Sequence, residues 1–270
     1  MKSPKWDARI ERARKLHSLY PFAAEGLRFY ERVAGWQRSF HAELGSRLGI
    51  DGKHSLLDAF RHNLDLLALL PAFAPFLALI EQHAPAPLAA SAGELKAKGS
   101  EQWDDALTRF WEDEPNSEPL DPAVALISWA FLQPYAEYLA ELAAPFAVEG
   151  TPSRCPFCSR NPQVGVLRQE GDGAKRSLIC SLCAHEWEYR RIVCPACGEE
   201  DVKKLAVYST EKFPQVRVEA CDTCHSYIKS VDLTKDGHAI PVVDELATIP
   251  LNLWAAEHGY AKLQPNLLGL

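Results

Sequence analysis

Eight cysteines, set as four Cys-x-x-Cys pairs between residues 155 and 224 of a 270-residue chain, constrain this fold more than any other feature. The pairs are Cys155/Cys158, Cys180/Cys183, Cys194/Cys197 and Cys221/Cys224. A two-residue gap lets both thiolates of a tight turn face one metal ion, and two such turns complete a tetrahedral all-sulfur site. Twenty-one residues separate Cys158 from Cys180 and 23 separate Cys197 from Cys221, but only ten separate Cys183 from Cys194. That rhythm marks an internal duplication. Sequential pairing is expected: Cys155, Cys158, Cys180 and Cys183 around one ion, and Cys194, Cys197, Cys221 and Cys224 around the other. A nested pairing, outer with outer and inner with inner, is the alternative. Four thiolates suit zinc or a single rubredoxin-type iron rather than magnesium or calcium. Each unit has little core without its ion, so metal binding is expected to be coupled to folding.

His185 and His225 each follow the second cysteine of a pair. With four sulfurs already available per site, they are expected to be turn residues or donors to sulfur. Gly198 follows Cys197, where a knuckle favours positive φ, and Ser159, Ala184 and His225 hold the three equivalent positions.

The cysteine region reads as strands and the remainder as helices, an α+β chain. Leu27, Tyr30, Val33, Phe40 and Leu44 form one apolar stripe of a helix over Glu25–Leu48, closed by Gly49 and Asp51-Gly52. A second helical run, Ser55–Leu70, is expected to stop at Pro71. A third, Ala72–His83, is expected to end at Pro85-Ala86-Pro87. Ser100 is a candidate cap for the helix carrying Trp103, Leu107, Phe110 and Trp111. Asp121 and Pro122 open a run over Ala123–Ala144, with a kink or break expected at Pro134. Candidate strands are Val164–Arg168, Arg176–Ile179, Trp187–Val193, Leu205–Tyr208, Val216–Ala220 and Tyr227–Leu233. Val243–Tyr260 returns to a helical pattern. The expected organisation is an all-helical domain over 1–150, a first four-cysteine ribbon over 151–192, a second over 193–240, and a helical segment over 241–270 that packs back.

Several function classes are disfavoured. No Gly-rich phosphate loop, His-Glu-x-x-His helix or nucleophile elbow occurs in the helical part, so no catalytic residue is expected. The net charge of −7 gives no general reason for a nucleic-acid partner. Leu64–Ile80, the most membrane-like stretch, carries Asp65 and is interrupted by Pro71 and Pro75, which reads as core helix rather than membrane insertion. A charged N-terminus without a secretory pattern, together with clustered Cys-x-x-Cys pairs, points to a reducing cytoplasmic setting. Two binding or redox classes stand as alternatives. A zinc-ribbon nucleic-acid adaptor needs a basic stripe, whereas the charge between 155 and 240 is near balance. A dithiol redox protein would cycle its pairs through disulfides.

The sequence resembles one family along most of its length. The residues that carry the likeness are Cys-Ser-Leu-Cys-Ala-His-Glu-Trp from Cys180, Arg-Ile-Val-Cys-Pro-Ala-Cys-Gly from Arg191, and Glu-Ala-Cys-Asp-Thr-Cys from Glu219 with Tyr227-Ile228-Lys229. Asp244-Glu245-Leu246-Ala247-Thr248-Ile249-Pro250-Leu251 and Glu257-His258-Gly259-Tyr260 extend it. These are similar to the formate dehydrogenase accessory protein (FdhE-like) family. The resemblance implies a cytoplasmic, non-catalytic assembly factor that binds the catalytic subunit of formate dehydrogenase during maturation. It also implies two rubredoxin-like units with iron as the favoured metal and zinc as the alternative, held by the eight cysteines named above, in a double ribbon open to redox sensitivity. No oligomeric state is assigned.

Overall fold

The computed structural model describes residues 4–48, 64–112, 118–143, 150–171 and 173–269. Two compact units divide the chain: Met1–Ile10 with Phe29–Phe146, and Glu11–Arg28 with Ala147–Leu270.

In the first unit the expected apolar stripe forms helix α2 (Ala24–Leu48), with Tyr30, Val33, Phe40 and Leu44 all buried. Trp36 and Phe40 stack among Phe76 and Phe131 at ring separations of 4.5–5.6 Å, the centre of a helical core. Helix α1 (Pro4–Leu19) brings Arg9 and Lys5 to the fully buried Glu137, at 2.8 and 2.7 Å. Burial alone would raise the Glu137 carboxyl, but Arg9 and Lys5 outweigh it and hold it below the usual range.

The helix stop expected at Pro71 does not form. Helix α3 (Leu66–His83) starts at the Asp65 cap and continues through Pro71 and Pro75, so Pro71 does not stop it. Each proline removes a backbone N–H, but Leu69, Phe73, Phe76, Leu77 and Ile80 are buried on either side of them, and packing outweighs the lost bonds. By length and composition α3 is long and apolar enough to cross a membrane. Residues 49–63, including the expected stop at Gly49 and the start of the second run, lie outside the described residues.

The Pro85-Ala86-Pro87 turn is also the start of a further helix, α4 (Ala86–Lys98). Gly99, at φ 81°, ends it, and Ser100 becomes the first residue of α5 (Ser100–Glu112) rather than its cap. The Trp103 indole donates to the Leu95 carbonyl at 2.7 Å, one of the carbonyls that the end of α4 leaves unpaired. Helix α6 (Pro122–Leu142) is capped by Asp121, whose carboxylate accepts from Ala123 and Val124, and it passes Pro134 without a break. A proline at 134 frees the carbonyl of Ala130. The buried Gln37 amide donates to that oxygen at 2.6 Å, which removes the cost of an orphaned acceptor.

The second unit is built on one seven-stranded sheet in the order β3-β2-β1-β6-β5-β4, with β7 beside β6. The strands are β1 (Pro162–Glu170), β2 (Gly173–Cys180), β3 (Glu186–Glu188), β4 (Leu205–Ser209), β5 (Val216–Cys221), β6 (Ser226–Asp232) and β7 (Ala261–Lys262). Each half is antiparallel, and the two ribbons fuse where β1 and β6 run parallel, Gly165 opposite Ser230. A methyl group on Gly165 would overlap the Ser230 hydroxyl, so a larger residue there would force the Ser230 side chain to move.

The expected strand Trp187–Val193 is cut short at Glu188. Arg176, fully buried, donates to the Arg190 carbonyl at 2.9 Å and draws the following chain away from the sheet. The expected C-terminal helical stretch is two helices, α7 (Pro241–Ala247) and α8 (Ile249–Glu257), separated at Thr248 and followed by β7, which the helical pattern did not suggest. Helix α7 lies on β1 and β6. It carries two fully buried acids. Asp244 takes Arg12 Nε at 2.9 Å, Gln215 Nε2 at 3.1 Å and the Ile240 N–H at 2.8 Å.

Candidate metal centres

The eight cysteines gather as two sequential groups, Cys155/Cys158/Cys180/Cys183 and Cys194/Cys197/Cys221/Cys224. In each group all four sulfurs lie within 4.8 Å of one another. The nested pairing does not form. Cross-pair sulfur distances are 3.6 Å for Cys155–Cys183, 3.2 Å for Cys158–Cys180, and 3.7 Å for both Cys194–Cys224 and Cys197–Cys221. A tetrahedron of thiolates about 2.3 Å from a central ion has edges of roughly 3.8 Å. Three of the four distances approach that value, and one pair sits closer. The donor sets therefore suit metal ions.

The knuckles explain how the turns aim their sulfurs. Ser159, Ala184, Gly198 and His225 all have positive φ (61°, 51°, 78° and 55°), and the three non-glycines are the only such residues among those described. This conformation folds the chain back within one turn. The N–H of Ser159, Gly198 and His225 donates to the carbonyl of Cys155, Cys194 and Cys221 at 2.8–3.0 Å. The N–H groups of Leu182 and Ala196 approach Cys180 Sγ and Cys194 Sγ, each at 3.4 Å, where they favour thiolate charge.

Electrostatics divide the sulfurs unevenly. Hydrogen bonds from Cys158, Cys180 and Cys183 hold Cys155 well below the ordinary thiol range, while burial pushes Cys180 and Cys183 up. In the second group, burial raises Cys194. Burial acts the same way on Cys224, but hydrogen bonds from Ser226 outweigh it and bring it down to about 7. A cation held by four cysteines takes them as thiolates, so its binding would release thiol protons.

The surroundings differ too. All four sulfur residues of the first group are buried; in the second, Cys197 is exposed and Cys224 partly so. Trp187 closes over the first ribbon and donates to the Pro152 carbonyl at 2.9 Å, and Glu186 is paired with Arg168 at 2.7 Å. Glu199 braces the second group, accepting from Thr223, between Cys221 and Cys224, and from the N–H of Asp201 at 2.9 Å. The Thr223 hydroxyl is the largest contributor in holding Glu199 down to about 2. His185 and His225 lie outside both sulfur groups. Arg190 pairs with Glu200 at 2.7 Å and Lys204 with Glu199 at 3.5 Å.

Cysteine spacing gives no hint of what clamps the second ribbon. Lys229 on β6 is fully buried and bound to Glu245 on α7 at 2.9 Å, to the Glu245 carbonyl at 2.6 Å and to the Thr248 hydroxyl at 3.1 Å. Lys262 and Asn266 also donate to Glu245. Burial brings Lys229 down to about 8. Glu245, despite burial, is held at about 2 by its two lysines. A signal was present: Lys229 occupies the same strand face as the buried Tyr227 and Val231, a cation at an apolar alternation site.

Comparison with known proteins agrees with this geometry. The family model described as "FdhE, central domain" matches residues 154–191, and that described as "FdhE, C-terminal domain" matches residues 192–268. The chain is 27% identical to a protein named "Protein FdhE homolog" from Aquifex aeolicus, covering 96% of this chain and 94% of the relative. It is 36% identical to one of the same name from Pseudomonas aeruginosa, covering 76% and 69%. A crystal structure of the FdhE protein from Pseudomonas aeruginosa superposes with a TM-score of 0.73 at 27% identity, over 99% of this chain and 97% of that one.

Proposed function

The chain belongs to the FdhE family, and from that premise we propose that it is a cytoplasmic, non-catalytic accessory protein that binds the catalytic subunit of formate dehydrogenase during maturation. The observation that carries this reading is the pair of complete four-sulfur groups joined in one sheet, in a chain related to FdhE proteins over nearly its whole length. The eight cysteines are proposed as the ligands of two ions, iron in rubredoxin-like sites, with zinc as the alternative. Bound there, the metal supplies a rigid cross-link and, if iron, a one-electron couple. The chain's own part is to hold the sulfurs, to keep water from the first group, and to present the second at the surface. The ribbons, taken as 151–192 and 193–240, provide the first contact with the client. The helical domain over 1–150 provides a second, and 241–270 braces the ribbons.

Co-purification of tagged protein with the catalytic subunit, lost on Cys→Ser changes in the ribbons, is the expected result. No association in cells that make the enzyme would sink the proposal. Elemental analysis of protein purified without air should give two irons per chain and a thiolate-to-ferric absorption on oxidation; two colourless zincs would assign the metal differently.

A further inference from the structure

A cavity of about 340 Å³ lies against the second sulfur group, walled by both ribbons of the second unit. Its polar wall has an imbalance. Arg176 is 2% exposed and donates through Nη1 to the Arg190 carbonyl and through Nη2 to Glu219 at 2.6 Å, but its Nε–H has no acceptor. Glu219 already takes Arg217 at 2.6 Å as well. Arg191, exposed on the same cavity, makes no ion pair among the described residues. Two guanidinium groups, Arg176 and Arg217, thus share one carboxylate, Arg191 lines the same cavity, and a buried N–H donor lacks a partner. The shared carboxylate and the unpaired donor both call for an added anionic acceptor.

The rest of the wall is apolar. Ile192 (51% exposed), Val202 (64%) and Val207 (53%) line the opening, three of the eight large hydrophobic residues exposed among those described. Strand β4, which contributes Val207, ends the sheet order, so among the described residues its outer backbone edge has no strand partner. An extended chain laid there would gain main-chain hydrogen bonds and place alternate side chains in the cavity.

We infer that this cavity receives an extended apolar segment of the client that also carries a carboxylate. Apolar side chains fill the space behind Ile192 and Val207, and the carboxylate meets Arg176 and Arg191. Four thiolates around a divalent ion leave net negative charge at Cys194 and Cys221, which directs the acid to the arginine wall. The inference rests on the proposed role in formate dehydrogenase maturation and names the chemistry of the segment that is bound.

The test uses the full-length protein and labelled short peptides tiling the formate dehydrogenase catalytic subunit, read by fluorescence anisotropy. The expected binders combine apolar residues with an Asp, a Glu or a free C-terminal carboxylate. Arg191→Glu and Ile192→Asp, both at exposed positions, should each weaken binding about tenfold or more. Neutralising the peptide's acid should do the same, and Lys235→Glu, outside the cavity, should change nothing. Circular dichroism confirms that each variant is folded. Unchanged affinity in both cavity variants overturns the inference, as does the absence of any binding peptide when the intact subunit still co-purifies; the proposed function survives either result. Failure of the intact subunit to co-purify overturns both.

Discussion

The first ribbon buries all four of its sulfurs, whereas the second leaves Cys197 exposed and Cys224 partly so. At their exit strands the order reverses. The first ribbon leaves on β3, three residues long and at the sheet edge; the second leaves on β6, seven residues long and in the interior, with Lys229 held by Glu245 and Thr248. One repeated pattern has therefore been stabilised at opposite ends. A closed sulfur cage tolerates a short exit strand, and an open cage is backed by a buried ion pair. The open cage is also the one beside the cavity.

The contrast can be broken most directly at the sulfurs. Cys180→Ser in the buried group should lower bound metal from two ions to one and cost on the order of 5 kcal/mol or more, since metal and fold are coupled there. Cys197→Ser should also lose an ion yet leave a cooperative urea transition. Equal losses of stability would show that the two cages carry equal weight. Lys229→Ala comes next. Leaving Glu245 buried beside an empty space should cost ~3–5 kcal/mol by urea unfolding, with the first cage keeping its ion.

The same ion pair gives a pH test. The Glu245 carboxyl is held at about 2, below its ordinary value near 4.5, so the folded state binds fewer protons than the unfolded one. Its contribution is complete above about pH 4.5 and is lost as pH falls toward 2. Glu245→Gln should flatten that part of the stability curve relative to wild type; a parallel curve would remove Glu245 from the account. The smallest effect lies at the knuckles. Ala184→Gly relieves a side chain at φ 51° and should raise stability by about 0.5–1 kcal/mol, whereas Gly198→Ala, at φ 78°, should lower it by about 1 kcal/mol. Equal and opposite shifts would mean that the two cages answer backbone strain alike.

Features set by local chemistry were legible in the chain: the sulfur groups, the Asp121 cap, the stripe of α2 and the cores of five strands. Features set by distant partners were not. Pro71 looks like a helix stop, and Pro134 like a kink or break, until the surrounding core, and the Gln37 amide placed on the Ala130 carbonyl, are seen. Trp187–Val193 has strand composition, but the Arg176 bond to the Arg190 carbonyl ends pairing early. The parallel join sets Gly165 against Ser230, a closeness visible only once the strands are paired. Asp244 and Glu245 stood in a family-like segment without a role, because nothing in their spacing shows that Arg12 and Lys229 will meet them.

The Arg12–Asp244 contact spans 232 positions, and Asn266 then closes on Glu245. During synthesis, Arg12 leaves the ribosome long before either acid exists. The first cage needs only residues 155–183 and can close as a local event. The β1–β6 join and the buried ion pairs must wait for nearly the whole chain. Such high contact order slows closure and prolongs exposure of the unpaired edge of β1. A nascent chain of this protein thus has the sulfurs of its first cage in hand while its central seam is still open, and the edge of β1 waits for β6.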